Sequence, residues 1–90
     1  MNPQKGKTTK SIHDPRYKKL IEVLIDERKS SGLTQVELAR RIGRTQSEVS
    51  KIEQCERRID VIEFFNWIAA TRGNLPSDFS FLIDKINDNI

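Results

Sequence analysis

Apolar residues recur at helical spacing in five stretches of this chain. In the first, Asp14 and Pro15 form an N-cap and first-turn pair, and Tyr17, Leu20, Ile21, Leu24 and Ile25 follow at i, i+3, i+4, i+7 and i+8. That spacing predicts an amphipathic helix running to about Ser31. Arg28 lies four residues past Leu24 and continues the apolar stripe, a position that calls for a partner to its charge. In the second stretch Thr34 stands as a hydroxyl N-cap three residues before Glu37, the spacing of a capping box, and Leu38, Ala39 and Ile42 are apolar. Gly43 follows directly, where a helix stops with the positive φ that only glycine adopts without steric cost. Thr45 and Glu48 repeat the capping pattern for a third helix with Val49 and Ile52 on its apolar side. The fourth, VIEFFNWIAATR, is capped by Asp60 and stops at Gly73. Its residues Val61, Ile62, Phe64, Phe65, Trp67 and Ile68 point nearly all round the axis, so it should be central, with another helix covering its far side. After Leu75 and Pro76, a last helix beginning at Ser77 or Asp78 presents Phe79, Leu82, Ile83, Ile86 and Ile90 as one stripe. The expected fold is all-α, a compact five-helix domain.

The third helix has a second side. At about 100° per residue, Gln46, Ser50, Gln54, Ser47 and Lys51 fill a contiguous polar arc of about 140° opposite Val49 and Ile52. Amides, hydroxyls and an ammonium are groups that pair with base edges in a major groove. A merely solvated face has the same appearance, and the arc alone does not separate the two.

Spacing does. Counting Gln35 as the first position, alanine falls fifth, glycine ninth, valine fifteenth and isoleucine eighteenth, at Ala39, Gly43, Val49 and Ile52. With LTQ at its start and KIE at its end, Leu33 to Glu53 resembles the helix-turn-helix of the phage repressor and Cro family, also called the xenobiotic response element (XRE) or lambda-repressor-like family. The likeness extends over roughly residues 16 to 72. In such a motif the small fifth residue allows close helix approach, the glycine makes the turn, and the later aliphatics seal the pair against the core.

The resemblance implies a sequence-specific, DNA-binding transcriptional regulator, a repressor that binds a two-fold symmetric operator as a homodimer through the major groove. Gln46 would be the leading base reader, through bidentate adenine pairing, with Ser47, Ser50 and Lys51 beside it. Gln35 and Thr45 occupy positions where the family contacts phosphate, and a glutamine placed as Gln35 is also expected to brace Gln46. Arg44, in the turn, reads as a phosphate contact or a solvated turn residue. Arg57 and Arg58 follow the third helix where relatives often bind phosphate, although adjacent arginines are also ordinary surface residues. Where many relatives have an Asn-Gly turn, this chain has Gln54, Cys55 and Glu56. The family also supplies a partner for Arg28: an ion pair with Glu53, tying the first helix to the third.

Composition narrows the rest. Ninety residues suit one domain with a modest core. No apolar run approaches the roughly 18 residues of a membrane span, and the N-terminus lacks the apolar stretch of a signal peptide, so a cytoplasmic location is expected. The net charge of +3 is unevenly placed: residues 1–58 hold 14 basic against 8 acidic side chains, and residues 59–90 hold 2 against 5. The basic part carries the motif, and the acidic part carries most of the aromatics, which suggests a polyanion-facing and a protein-facing side. Residues 1–13 read as a flexible basic arm, either tracking DNA or serving as a solubilising tail. Residues 14–90 read as the DNA-binding domain. Within it, residues 60–90 read as the dimerisation region, through Phe64, Trp67, Phe79, Leu82, Ile83 and Ile86.

Cys55 and His13 are the only cysteine and histidine, so no intramolecular disulfide, metal site, cofactor or Cys/His nucleophile is expected, and the chain does not read as an enzyme. Two rivals keep the fold and change its use: an antitoxin gripping a toxin through its C-terminal half, or a restriction-modification controller protein. A third is a protein-interaction adaptor that does not bind DNA. Operator sequence, inducer, regulated genes and the sign of regulation are not encoded in any readable pattern.

Overall fold

A computed structural model describes residues 11–73 and 80–87. It contains five α-helices: α1 (Pro15–Ser30), α2 (Gln35–Ile42), α3 (Gln46–Glu53), α4 (Val61–Arg72) and α5 (Ser80–Asn87). Ahead of α1, Ser11–His13 form a turn of 3-10 helix packed against it, so the flexible arm expected to run to His13 has ordered residues at its end. Residues 1–10 of that arm, the expected helix starts at Ser77 and Asp78, and Phe79 lie outside the described residues.

Each helix start is held by side-chain chemistry close in sequence. Asp14 Oδ1 accepts from the Arg16 backbone N–H at 2.8 Å, with Pro15 in the first turn. Thr34 with Glu37, Thr45 with Glu48 and Asp60 with Glu63 form three complete capping boxes. In each, the cap side chain accepts from the backbone of the acid, and the acid returns the bond to the cap's N–H. A cap of this kind contributes about 0.5 to 2 kcal/mol. Gly43 ends α2 at φ 71° and Gly73 ends α4 at φ 87°. Both lie in the left-handed region open to glycine at little cost.

The core gathers Ile21 and Leu24 from α1, Leu38, Ala39 and Ile42 from α2, Val49 and Ile52 from α3, and Trp67 and Ile68 from α4. Tyr17, Leu20 and Ile25 of the expected α1 stripe are only partly buried against it. Val23, off that stripe, is buried as well. Trp67 is fully enclosed, and its indole Nε1–H donates to the Leu24 carbonyl at 3.0 Å, joining α4 to the backbone of α1. Truncating a tryptophan so placed costs about 3 to 5 kcal/mol. A second strut runs from the Ile59 N–H to the Tyr17 hydroxyl at 3.0 Å, with the Arg58 guanidinium over the same ring at 5.0 Å.

Two expectations for the C-terminal region are corrected. The last helix, expected in part to cover α4, packs chiefly on α1, with Leu82 and Ile86 facing a cavity that Val61 and Phe64 also line; Val61, Ile62 and Phe65 are exposed. Trp67 and Leu82, expected at a dimer interface, are buried within the protomer and have no surface to offer a second copy. Phe64 and Ile86 are half-buried, and Ile83 is exposed.

Candidate nucleic-acid interface

α3 is buried along Val49 and Ile52 and open along its polar arc, where Gln46, Ser47, Lys51 and Gln54 are exposed and Ser50 is half-buried. Ser50 Oγ accepts from Gln54 Nε2 at 3.0 Å, leaving its own O–H to donate. Two polar clusters adjoin the helix. At about 100° per residue, Glu53 stands beside Gln46 at one edge of the arc and Glu48 beside Lys51 at the other.

The first cluster begins in the interior. Arg28 Nε and Nη2 donate to the two Glu53 carboxylate oxygens at 2.6 and 3.1 Å, and Arg28 Nη1 donates to the Leu33 carbonyl at 3.0 Å. Only 10% of the arginine side chain and 7% of the glutamate's are exposed, which makes this a buried, bidentate pair between α1 and α3. Glu53 Oε1 also accepts from Gln35 Nε2 at 2.8 Å, and Gln35 Oε1 accepts from Gln46 Nε2 at 2.7 Å.

This order has a chemical consequence. A carboxylate only accepts, so it sets the Gln35 amide with its NH2 inward and its oxygen toward Gln46. That oxygen in turn requires the Gln46 NH2. Gln46 is left with its Oε1 and one N–H, the acceptor and donor that a bidentate pair with adenine N6 and N7 uses.

The second cluster surrounds Glu63. Its carboxylate accepts from Arg44 Nε at 2.6 Å, from Arg57 Nη1 and Nη2 at 3.0 and 2.7 Å, and from the Asp60 N–H at 3.0 Å. The side chain is 2% exposed, whereas the two arginines are exposed by about a third. The Arg57 hydrogen bonds, followed by those of Arg44 and the Asp60 N–H, hold the Glu63 carboxyl down at about 2, against burial that pushes it upward. Glu48, at the N-terminus of α3, and Asp60, the cap of α4, also act on both arginines through their charge.

The remaining expected phosphate contacts are arranged differently. Thr45 turns both of its donors to Glu48, the backbone N–H at 2.9 Å and the hydroxyl at 3.2 Å, so its hydroxyl reaches a phosphate only by exchanging that bond. Gln35 is the first residue of α2, and its backbone N–H has no intrahelical partner. The Arg58 guanidinium lies over the Tyr17 ring, and its backbone carbonyl accepts from Arg57 Nη1. The loop after α3 turns at Cys55 with φ 58°, the one positive φ of a non-glycine residue among the described residues. The Cys55 N–H meets the Ile52 carbonyl at 3.1 Å and the Glu56 N–H meets that of Lys51 at 2.8 Å, the bond pattern of a glycine-type helix ending.

Sequence reasoning missed Glu63. Its signal was present: Asp60 and Glu63 repeat the spacing of Thr34 with Glu37 and of Thr45 with Glu48. The acid was obscured by the run of apolar residues around it.

Two short helices joined by a glycine turn, the second carrying an exposed polar face, make this a helix-turn-helix domain. Comparison with known proteins agrees. A helix-turn-helix family model matches residues 24–72. A solved structure of an XRE-family like protein from Pseudomonas syringae pv. tomato str. DC3000 is 44% identical, covers 90% of this chain and 94% of its own, and superposes with a TM-score of 0.67. No curated protein matches. The chain belongs to the XRE, lambda-repressor-like helix-turn-helix family, and on that ground it is a DNA-binding transcription regulator. No helix among the described residues is long and apolar enough to cross a membrane.

Proposed function

We propose that the chain is a repressor that binds a two-fold symmetric operator as a homodimer, each protomer laying α3 in the major groove. The observation that carries this reading is the polarity of Gln46, set through Gln35 by the buried Glu53 carboxylate. An amide held with one acceptor and one donor outward is prepared to read adenine before DNA arrives, with less side-chain freedom to lose. Ser47, Ser50 and Lys51 complete the reading face, and Gln35, Arg44, Thr45, Arg57 and Arg58 are its backbone contacts.

Support for a second copy comes from large apolar side chains exposed among the described residues, Val61 and Ile62 at the start of α4 and Ile83 on α5. Exposed apolar groups of this size are candidates for an interaction surface. A two-fold dimer through them would set two copies of α3 about 34 Å apart, one turn of the duplex. A toxin or other protein partner could use the same surface. Sedimentation of the purified chain separates the readings: a dimer that Ile62→Asp converts to monomer supports the homodimer, and a wild-type monomer removes it.

Selection of bound sequences from a random duplex pool tests the reading as a whole. Enrichment of an inverted repeat with adenine at a position protected by Gln46 is the expected result. Gln46→Ala should then lose about 1 to 3 kcal/mol on the selected site and relax preference at that base. Undiminished binding by Gln46→Ala would remove the base-reading assignment.

A further inference from the structure

An acidic residue beside a DNA-binding face ought to weaken it, since the duplex is a polyanion. Glu63 is such an acid, and its placement argues for the opposite effect. Arg44 precedes α3 and Arg57 follows it, yet both guanidiniums converge on this one carboxylate. The carboxylate cannot drift toward them or away, because it is buried, bonded to the Asp60 N–H, and mounted on the helix that carries Trp67 and Ile68 into the core. Glu48 and Asp60 also act on both guanidiniums through their charge, so what Glu63 supplies is their placement and not a net positive charge.

The donors left over are suited to a phosphate. Arg44 commits its Nε to Glu63 and one Nη1–H to the Gly43 carbonyl, and its Nη2 makes no hydrogen bond among the described residues. Arg57 commits both Nη1–H donors, to Glu63 and to the Arg58 carbonyl, and one Nη2–H to Glu63, which among the described residues leaves its Nε–H and a second Nη2–H. Both side chains remain about a third exposed, one from the turn before α3 and one from the loop after it. Unanchored arginines carry much rotamer freedom, and binding must remove it; a shared carboxylate removes it beforehand.

We infer that Glu63 is a positioning residue for DNA, assembling Arg44 and Arg57 into one two-guanidinium clamp for the phosphates of a single strand. This rests on the DNA-binding reading above. The clamp contacts backbone and not bases, so it governs affinity for every duplex alike.

The test uses Glu63→Asp and Glu63→Gln in the full chain, with the selected operator and an unrelated duplex titrated over a salt series at a temperature where circular dichroism shows all proteins folded. Glu63→Asp keeps the net charge but is too short to hold both arginines. It should lose about tenfold in affinity on both duplexes and flatten the dependence of log K on log salt by about 1, with base preference unchanged. Glu63→Gln should behave likewise, although it raises the net charge. Wild-type affinity and salt slope in Glu63→Asp, or tighter binding by Glu63→Gln, would overturn the inference and leave Glu63 as a cap and a repulsive charge. A wild-type chain that binds neither duplex overturns the DNA-binding reading itself, and the clamp with it. Should the Glu63 variants fail to fold, Arg44→Ala, Arg57→Ala and their combination carry the test. A shared clamp predicts that the double variant loses less than the product of the single losses, and losses that simply multiply overturn it.

Discussion

Glu53, at the end of α3, and Glu63, in the first turn of α4, each accept from arginine, and they differ in proportion and depth. Glu53 meets one arginine, and both side chains are nearly sealed from solvent. Glu63 is equally buried but meets two arginines that are about a third exposed. The first pair is electrically balanced and joins α1 to α3. From it a neutral relay runs through Gln35 to Gln46, which transmits orientation and no net charge. In the second cluster one buried carboxylate holds two half-open guanidiniums, with the charges of Glu48 and Asp60 also acting on both. The same chemical pair thus takes two forms: a buried one-to-one pair that orients an amide relay, and a half-open cluster in which one carboxylate fixes two guanidiniums.

The sharpest way to break this contrast is to remove one partner from each cluster. Glu53→Ala leaves the Arg28 charge buried without compensation and should lower unfolding free energy by about 3 to 5 kcal/mol in a denaturant melt. A loss below about 1 kcal/mol, the range of exposed pairs, would show that the pair is more hydrated than its burial implies.

Acid isolates the other cluster. The Glu63 carboxyl is depressed to about 2 when folded, from 4.5. Its contribution is therefore fully present above the unfolded value and lost as pH falls through the folded one. That contribution is about 2 to 3 kcal/mol. Glu37 and Glu48 are depressed in the same direction, chiefly by the backbone N–H of Thr34 and Thr45, and add to it. Stability measured against pH should be flat near neutrality and fall between about pH 4.5 and 2. The fall should be shallower in Glu63→Gln, and an unchanged profile there would mean that other acids dominate.

A smaller effect sharpens the relay. Gln35→Ala frees Gln46 without touching any base, so binding to the selected operator should weaken by about 0.5 to 1.5 kcal/mol. The preference at the Gln46 position should broaden while affinity for unrelated duplex hardly moves. An equal loss on both would make Gln35 a backbone contact only.

The smallest concerns the loop after α3. Cys55 occupies a left-handed position, so Cys55→Gly should raise stability by up to about 1 kcal/mol, less whatever packing the side chain contributes. A lower melting temperature would mean that the packing dominates.

Local pattern was readable where physics is local. Thr34, Gly43, Thr45 and Gly73 act within a few residues of themselves, and each stands at the helix boundary its spacing indicates. The turn at Cys55 was obscure because a residue other than glycine adopts the glycine conformation there. The C-terminal stripe misled for another reason. Periodicity says which residues are apolar on one side of a helix, but not which neighbour covers them, and α5 covers α1 while part of α4 stays open. Trp67 and Leu82 were thus assigned outward when they point inward.

By itself, the sequence determined the five helices, the turn between α2 and α3 and the polar arc on α3, because capping, chain stiffness and helical period act over a few residues. Only the tertiary structure decided that Arg44 and Arg57 share Glu63, and that Gln46 is oriented from Glu53 through Gln35. These contacts span 6 to 19 residues of chain. They exist only once the core has brought α2, α3 and α4 together, since a hydrogen bond needs two groups within about 3 Å and spacing along a sequence does not set that distance.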